Sequence, residues 1–242
     1  MKILMPYITG GITADWIAYV QAMIDAGADM VEIGLPFSDP TLDGTTIQEA
    51  TSVALARGAT LHRILASVAA FDAAVPLIAS TYAHLVVREG SEKFCAALAA
   101  AGFSGLIVPD LPLEECAPVA ASCELHGIDL VLLASPATPD ARLAEIGRRS
   151  RRFVYAVTVM GTTGERDTLA DSAATLAARL ASRTELPVLL GFGISTPAQA
   201  AEAARAADGV VIGAAVMRRL LDGATPAALG AYVGTMRAAL GR

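Results

Sequence analysis

Short apolar segments alternate with helix-forming segments along the whole chain, and this alternation limits the possible folds more than any other feature. It predicts eight strands, at residues 2–8, 30–35, 76–80, 105–108, 129–133, 153–157, 187–191 and 209–212. Repeated strand–helix units are typical of a parallel sheet covered by helices. Eight such units in 242 residues favour an α/β fold closed into a (β/α)₈ TIM barrel, with extra helices near residues 45–72 and 214–240.

The main alternative is an open, doubly wound sheet of the Rossmann type. That fold carries a Gly-x-Gly-x-x-Gly turn after its first strand, and residues 9–14 lack it. We find neither a linker nor a low-complexity tract. We therefore expect one TIM-barrel domain over residues 1–242.

Composition narrows the class of protein. Mean hydropathy is +0.53, but charges interrupt every apolar run before it reaches the length of a membrane span, and residues 1–6 do not resemble a signal peptide. Net charge is −6, and the arginine cluster at residues 148–152 lacks interleaved aromatics, so we interpret it as a solvated loop rather than a nucleic-acid site. These features predict a cytoplasmic enzyme with neither a membrane nor a nucleic-acid partner.

Cysteine and histidine spacing gives no reason to expect a metal. Cys95, Cys116 and Cys123 form no Cys-x-x-Cys pair and are expected as buried free thiols. The three histidines are scattered along the chain without the spacing of zinc ligands.

A glutamate lies in the middle of the second predicted strand. Val31, Ile33 and Leu35 make one face of this strand apolar, and Met30 and Gly34 flank Glu32 on the other. Such a strand is normally covered on both faces, so the Glu32 carboxylate needs a partner or a raised pKa. A structural salt bridge is the alternative to a functional role.

The loop after this strand carries a second carboxylate. Pro36, Pro40 and Gly44 interrupt regular structure there, and Asp43 taken alone is typical of a turn aspartate. About ten residues after a buried glutamate, however, Asp43 is placed to form an acid–base pair with Glu32.

Glycines follow the last two predicted strands, at Gly191-Phe-Gly-Ile-Ser195 and Ile212-Gly-Ala-Ala-Val216. Glycines allow close backbone approach to an anion, and helix N-termini supply N–H donors, so these segments predict a phosphate site. The alternative is two tight turns, with Ser195 as a helix cap. Gly161–Gly164 is interpreted as a closing flap.

Residues 31–44, Val-Glu-Ile-Gly-Leu-Pro-Phe-Ser-Asp-Pro-Thr-Leu-Asp-Gly, closely resemble the signature of the tryptophan synthase alpha chain family, and the resemblance continues over essentially the whole chain. It implies a TIM barrel in which Glu32 and Asp43 are the catalytic pair. It also implies substrate contacts from Tyr7, Tyr82, Tyr155, Thr163, Gly164 and Phe192, and phosphate contacts from Gly164, Gly191, Gly193, Gly213 and Ala214.

The resemblance implies retro-aldol cleavage of indole-3-glycerol phosphate to indole and glyceraldehyde 3-phosphate. It implies no metal or organic cofactor in this chain, and a pyridoxal-phosphate beta subunit as partner in an alpha2beta2 assembly. Gly11 and His84 replace the family's usual aspartate and asparagine on the side that meets the beta subunit. Val159 replaces a residue that is often polar, and Ala214 a phosphate-contacting serine.

Three other functions fit the same residues. The chain is also compatible with a stand-alone indole-3-glycerol phosphate lyase of a specialised indole pathway. A catalytically weak subunit that activates a beta partner is a further alternative, although it has no need to keep both Glu32 and Asp43. A different phosphate-binding barrel enzyme, such as an isomerase, lacks the support of the residue 31–44 motif.

Overall fold

The strands of the chain form one continuous parallel sheet. The computed structural model describes residues 1–157, 166–191 and 193–241, with residues 166–171 described by their backbone alone. The strands are β1 (Ile3–Thr9), β2 (Val31–Gly34), β3 (Leu77–Ser80), β4 (Gly105–Ile107), β5 (Asp129–Val131), β6 (Leu133–Ala134), β7 (Val154–Val157), β8 (Val188–Gly191) and β9 (Gly209–Ile212). Their order is β5-β4-β3-β2-β1-β9-β8-β7-β6, and every pairing is parallel.

The two ends of this order, β5 and β6, are consecutive in sequence and separated by Leu132 alone. They replace the single strand predicted at residues 129–133. The Leu132 N–H donates to the Ser150 Oγ (3.0 Å), while its carbonyl accepts the Tyr155 N–H (3.1 Å), so the pairing passes from β4 to β7 at this residue. The split strand therefore closes the sheet, and the predicted (β/α)₈ barrel is confirmed.

Helices surround this sheet. They are α1 (Trp16–Asp25), α2 (Thr45–Ala56), α3 (Leu61–Ala69), α4 (Ala83–Val87), α5 (Ser91–Ala101), α6 (Ala117–Leu125), α7 (Asp140–Arg149), α8 (Arg166–Ala181), α9 (Pro197–Ala206), α10 (Ala214–Leu221) and α11 (Pro226–Ala239). No helix of the described residues is long and apolar enough to cross a membrane.

Two local predictions were wrong. The short helix α4 was not foreseen, and its first N–H, at Ala83, donates to the Asp110 Oδ1 (2.7 Å). The helix that the sequence predicts from Glu114 to His126 begins instead at Ala117, because Leu113–Glu115 forms a separate 3₁₀ turn.

The arginine cluster is also different from the solvated loop that was expected. Arg148 and Arg149 end α7 and both bond to Glu145, while the Arg152 guanidinium lies 2.8 Å from the Asp129 carboxylate. The three cysteines are buried free thiols, as predicted.

Successive side chains of each strand point to opposite faces of the sheet, and this creates two hydrophobic cores. Side chains on the outer face of the barrel pack against the helices. Those on the inner face form a separate apolar cluster at the barrel centre: Met5, Met30, Ile78, Ile107, Val131, Phe153, Leu189 and Val211. The barrel is therefore filled at this level.

Candidate active site

A cavity of about 860 Å³ opens directly above the inner core. Each inner-core residue is followed, two positions later in the chain, by a residue that also points inward and lines this cavity. These residues are Tyr7, Glu32, Ser80, Pro109, Leu133, Tyr155, Gly191 and Gly213. The strands are parallel, so this layer lies toward their carboxyl ends, where barrel enzymes place their sites. The period-two alternation of the strands thus builds the cavity floor.

Most of the predicted site residues meet in this cavity. Its lining includes Tyr7, Glu32, Asp43, Tyr82, Tyr155, Gly191, Gly193, Gly213 and Ala214. The sequence also predicts Asp110, which follows β4, at this end of the barrel; Asp110 is not among the residues that line the cavity, and its carboxylate accepts the Ala83 N–H at the start of α4 (2.7 Å). Thr163, Gly164 and Phe192, with Val159 and the rest of the predicted flap, lie outside the described residues.

Glu32 is the acidic group at the centre of the cavity floor. Its side chain is 5% exposed, and β2 holds it beside Tyr7 of β1 and Ile78 of β3. Burial raises the pKa of Glu32 to about 7, the Ser80 hydroxyl opposes this rise, and the Asp43 charge adds to it. Among the described residues no cation pairs with Glu32, which argues against the salt-bridge alternative.

Two tyrosines line the cavity with Glu32, Tyr7 on the adjacent strand β1 and Tyr155 on β7, and each packs over a glycine of the strand next to its own. A Cβ on Gly34 would collide with the Tyr7 hydroxyl, and a Cβ on Gly191 would collide with the Tyr155 ring. The Tyr7 hydroxyl also lies 3.1 Å from the Thr9 Oγ1. Gly191, predicted from sequence as a phosphate contact, therefore has a packing role that sequence reasoning missed.

Asp43 is held at the cavity by Tyr82, which lies just after strand β3. The Tyr82 hydroxyl donates to the Asp43 Oδ2 (3.1 Å) and accepts the Leu42 N–H (3.0 Å). Burial raises the pKa of Asp43, and the Tyr82 hydrogen bond opposes that rise. Burial, with the Asp43 charge next, raises the pKa of Tyr82 to about 12, so this phenol stays a donor.

The loop that carries Asp43 is fixed by more side-chain contacts than a simple turn would need. The Gln48 Nε2 donates to the Asp43 carbonyl (2.8 Å), which ties the loop to the first turns of α2. The Phe37 ring, near the other end of the loop, stacks on Tyr82 with ring centroids 5.3 Å apart. The loop is thus held at both ends, with the Asp43 carboxylate at the cavity.

The two glycine segments offer different donors. Gly213 precedes the first residue of α10, Ala214, and both line the cavity, so this helix N-terminus faces it. After β8, by contrast, the N–H groups of Ser195 and Thr196 donate to the Gln199 Oε1 (2.9 and 3.1 Å). Thr196, rather than Ser195, caps α9, so the alternative interpretation of Ser195 as the helix cap is off by one residue.

The raised pKa of Glu32 predicts a stability cost that appears as pH rises. Both the folded and the unfolded state hold this proton below about pH 4.5, whereas between about 4.5 and 7 only the folded state keeps it. We expect Glu32→Gln to raise the free energy of unfolding, relative to the unsubstituted protein, by about 2–3 kcal/mol more at pH 8 than at pH 5. Urea unfolding at both pH values measures this, and an equal difference at both would contradict it.

A parallel barrel whose cavity is lined by a buried carboxyl of raised pKa, a second carboxylate and a helix N-terminus is typical of a class of barrel enzymes. These enzymes act on small substrates that combine an apolar part with an anionic group.

Comparisons with known proteins narrow this class. A sequence model of the family described as "Tryptophan synthase alpha chain" matches residues 1–231. The tryptophan synthase alpha chain of Chloroflexus aurantiacus is 45% identical over 222 residues, which cover 90% of this chain and 84% of that one. The alpha chain of Methanosarcina mazei is 46% identical over 205 residues, 84% of this chain and 75% of that one.

Solved structures agree. Mycobacterium tuberculosis tryptophan synthase matches with a TM-score of 0.90 at 37% identity, over 99% of this chain and 92% of that one. Tryptophan synthase subunit alpha from Legionella pneumophila matches with a TM-score of 0.87 at 31% identity, over 99% and 92%. The chain belongs to the tryptophan synthase alpha chain family, so the resemblance stated from its sequence is confirmed.

Proposed function

We propose that this chain, a lyase of the tryptophan synthase alpha family, cleaves indole-3-glycerol phosphate with Glu32 as its acid–base group and Asp43 as its indole-orienting group. The single observation that carries the proposal is the Glu32 carboxyl, buried in the cavity floor with its pKa raised to about 7. A group with that pKa can both give and take a proton near neutral pH.

Cleavage needs two proton transfers. Protonating the indole ring at C3 turns it into an electron acceptor, and removing the proton of the glycerol hydroxyl next to the ring lets the carbon–carbon bond break. The bonding electrons return to the ring as indole leaves, and the hydroxyl carbon becomes the aldehyde of glyceraldehyde 3-phosphate. A protonated Glu32 supplies the first proton, and its carboxylate takes up the second, so the glutamate returns to its starting state.

Asp43 supports the same step through charge. When C3 is protonated, positive charge develops on the ring and is shared by its nitrogen. A carboxylate that accepts the indole N–H stabilises this charge, and the Tyr82 hydroxyl keeps the carboxylate in one orientation. Roles are thus divided between two carboxylates in different environments.

The rest of the cavity suits the two ends of this substrate. Tyr7, Tyr155 and Leu133 offer rings and apolar surface for the indole, whereas Gly213 and Ala214 begin a helix suited to the phosphate. Gly191 and Gly193 line the same cavity, and we assign their backbone to the phosphate as well. We assign Thr163, Gly164 and Phe192 to substrate and phosphate contacts on the family resemblance alone.

The family pairs with a beta subunit, and we propose that this chain passes indole to such a partner in an alpha2beta2 assembly. The reaction needs no cofactor in this chain, and pyridoxal phosphate is expected in the beta partner. The altered positions differ in setting: Gly11 lies in a partly buried turn with φ +76°, and His84 is exposed on α4, with its ring tilted against Phe37 at 5.7 Å between centroids. A cytoplasmic location belongs to the same proposal.

Indole release from indole-3-glycerol phosphate, measured for the isolated chain and then with a tryptophan synthase beta subunit added, tests this proposal. Slow release that the beta subunit accelerates is the expected result. Equally fast release with and without beta would favour the stand-alone lyase. No release in either mixture would overturn the catalytic assignment.

A further inference from the structure

A tyrosine of the last helix holds the loop that follows β8. The Tyr232 hydroxyl, on α11, donates to the Ser195 carbonyl (3.1 Å). Ser195 is exposed, and it lies two residues beyond Gly193, which lines the cavity at φ +46°. The bond thus reaches the glycine segment of β8 from outside the barrel.

An arginine joins this tyrosine to the second glycine segment. The Arg219 guanidinium carbon lies 3.5 Å from the centroid of the Tyr232 ring, which is close contact for a cation over an aromatic face. The same guanidinium donates from its Nη1 to the Ala215 carbonyl (3.0 Å), in the first turn of α10. A chain of three contacts therefore runs from Ser195 through Tyr232 and Arg219 to Ala215.

We propose that Tyr232 and Arg219 are positioning residues that fix the distance between the loop after β8 and the first turn of α10, and so set the affinity for the substrate's phosphate. This inference rests on the proposed function, because it takes these two segments as the phosphate seat. Neither side chain lines the cavity; each contacts the carbonyl of a residue next to one that does, Ser195 beside Ile194 and Ala215 beside Ala214.

The other polar side-chain contacts of the loop after β8 do not reach the first turn of α10 in the part of the chain that the structure describes. Gln199 binds the Ser195 and Thr196 N–H groups, but it belongs to α9 and ties the β8 loop to its own helix. Among the side-chain hydrogen bonds and cation–π contacts of the described residues, those of the Tyr232–Arg219 pair are the ones that join that loop to α10. A site whose N–H donors can move relative to one another binds an anion with lower affinity, because binding then has to order the donors.

The test removes one oxygen atom. Tyr232→Phe keeps the ring beneath Arg219 and deletes the donor to the Ser195 carbonyl. We expect KM for indole-3-glycerol phosphate to rise about three- to tenfold and kcat to stay within about twofold. The inhibition constant of inorganic phosphate, used as a competitive probe, should rise by the same factor. Arg219→Gln should shift both constants in the same direction.

Tyr19→Phe is the matched control. The Tyr19 hydroxyl also donates to a backbone carbonyl, that of Ala224 at 3.0 Å, but it lies outside the cavity. Losing it should lower the melting temperature about as much as Tyr232→Phe does, and leave KM and the phosphate constant unchanged. An equal rise of KM in both variants would mean that general destabilisation is responsible, and would overturn the inference.

The two proposals fail in different ways. If the unsubstituted chain releases indole but Tyr232→Phe leaves both constants unchanged, or lowers kcat alone, the positioning role is wrong and the proposed function stands. If the chain releases no indole but binds phosphate, and Tyr232→Phe weakens that binding, the positioning role stands and the reaction is wrong. If it neither releases indole nor binds phosphate, both are wrong.

Discussion

Glu32→Gln is expected to lower kcat for indole release by about 10³-fold, with a much smaller change in KM. The amide keeps the size and polarity of the side chain but can neither deliver the proton to C3 nor take up the proton of the hydroxyl. Steady-state indole release at pH 7.5 measures the effect. Loss of folding cannot account for it, because at this pH the substitution also removes a buried carboxylate that destabilises the folded state.

Glu49→Gln is the control for this substitution. Glu49 lies on α2, half-exposed, and pairs with Arg218 at 2.8 Å, so its loss should leave kcat unchanged. Adding a beta subunit separates two roles for Glu32 itself. If the Glu32→Gln chain still stimulates beta while releasing no indole, Glu32 is needed for cleavage rather than for regulation. A kcat within tenfold of the unsubstituted chain would remove Glu32 from the acid–base role.

The barrel was predictable because its signal is periodic. Short, nearly continuous apolar runs mark the strands, they recur at regular intervals, and the helix between two strands makes them run parallel. The break at Leu132 was not predictable, since it depends on the Ser150 hydroxyl taking the Leu132 N–H from 18 residues away. The short helix α4 has a similar cause, because Asp110 holds its start from another strand end.

Sequence reasoning found the carboxylates of the cavity but missed how they are held. Glu32 stands out as an acid in an apolar strand, which is a local signal. The bond between Asp43 and Tyr82 joins residues 39 positions apart, and no local pattern reveals it. Gly191 shows a second omission: the sequence predicts it as an anion-binding glycine but does not reveal that the Tyr155 ring occupies the space a side chain at this position would need.

Asp43→Asn is expected to lower kcat/KM by about 10²-fold, an effect smaller than that of Glu32→Gln but larger than that of any other substitution in the loop. The amide keeps the shape of the side chain and one accepting oxygen, whereas the negative charge is lost. The loss should therefore fall mainly on kcat, because positive charge on the ring develops only as C3 is protonated.

Asp39→Asn is the control, because Asp39 lies in the same loop and its exposed carboxylate contacts only Ser38 among the described side chains. It should leave kcat/KM within about twofold. Tyr82→Phe should cost about three- to tenfold, since it frees the Asp43 carboxylate to rotate but leaves its charge in place. The order of losses thus distinguishes charge from orientation at Asp43. If Tyr82→Phe proved as damaging as Asp43→Asn, orientation of the carboxylate rather than its charge would be what cleavage requires.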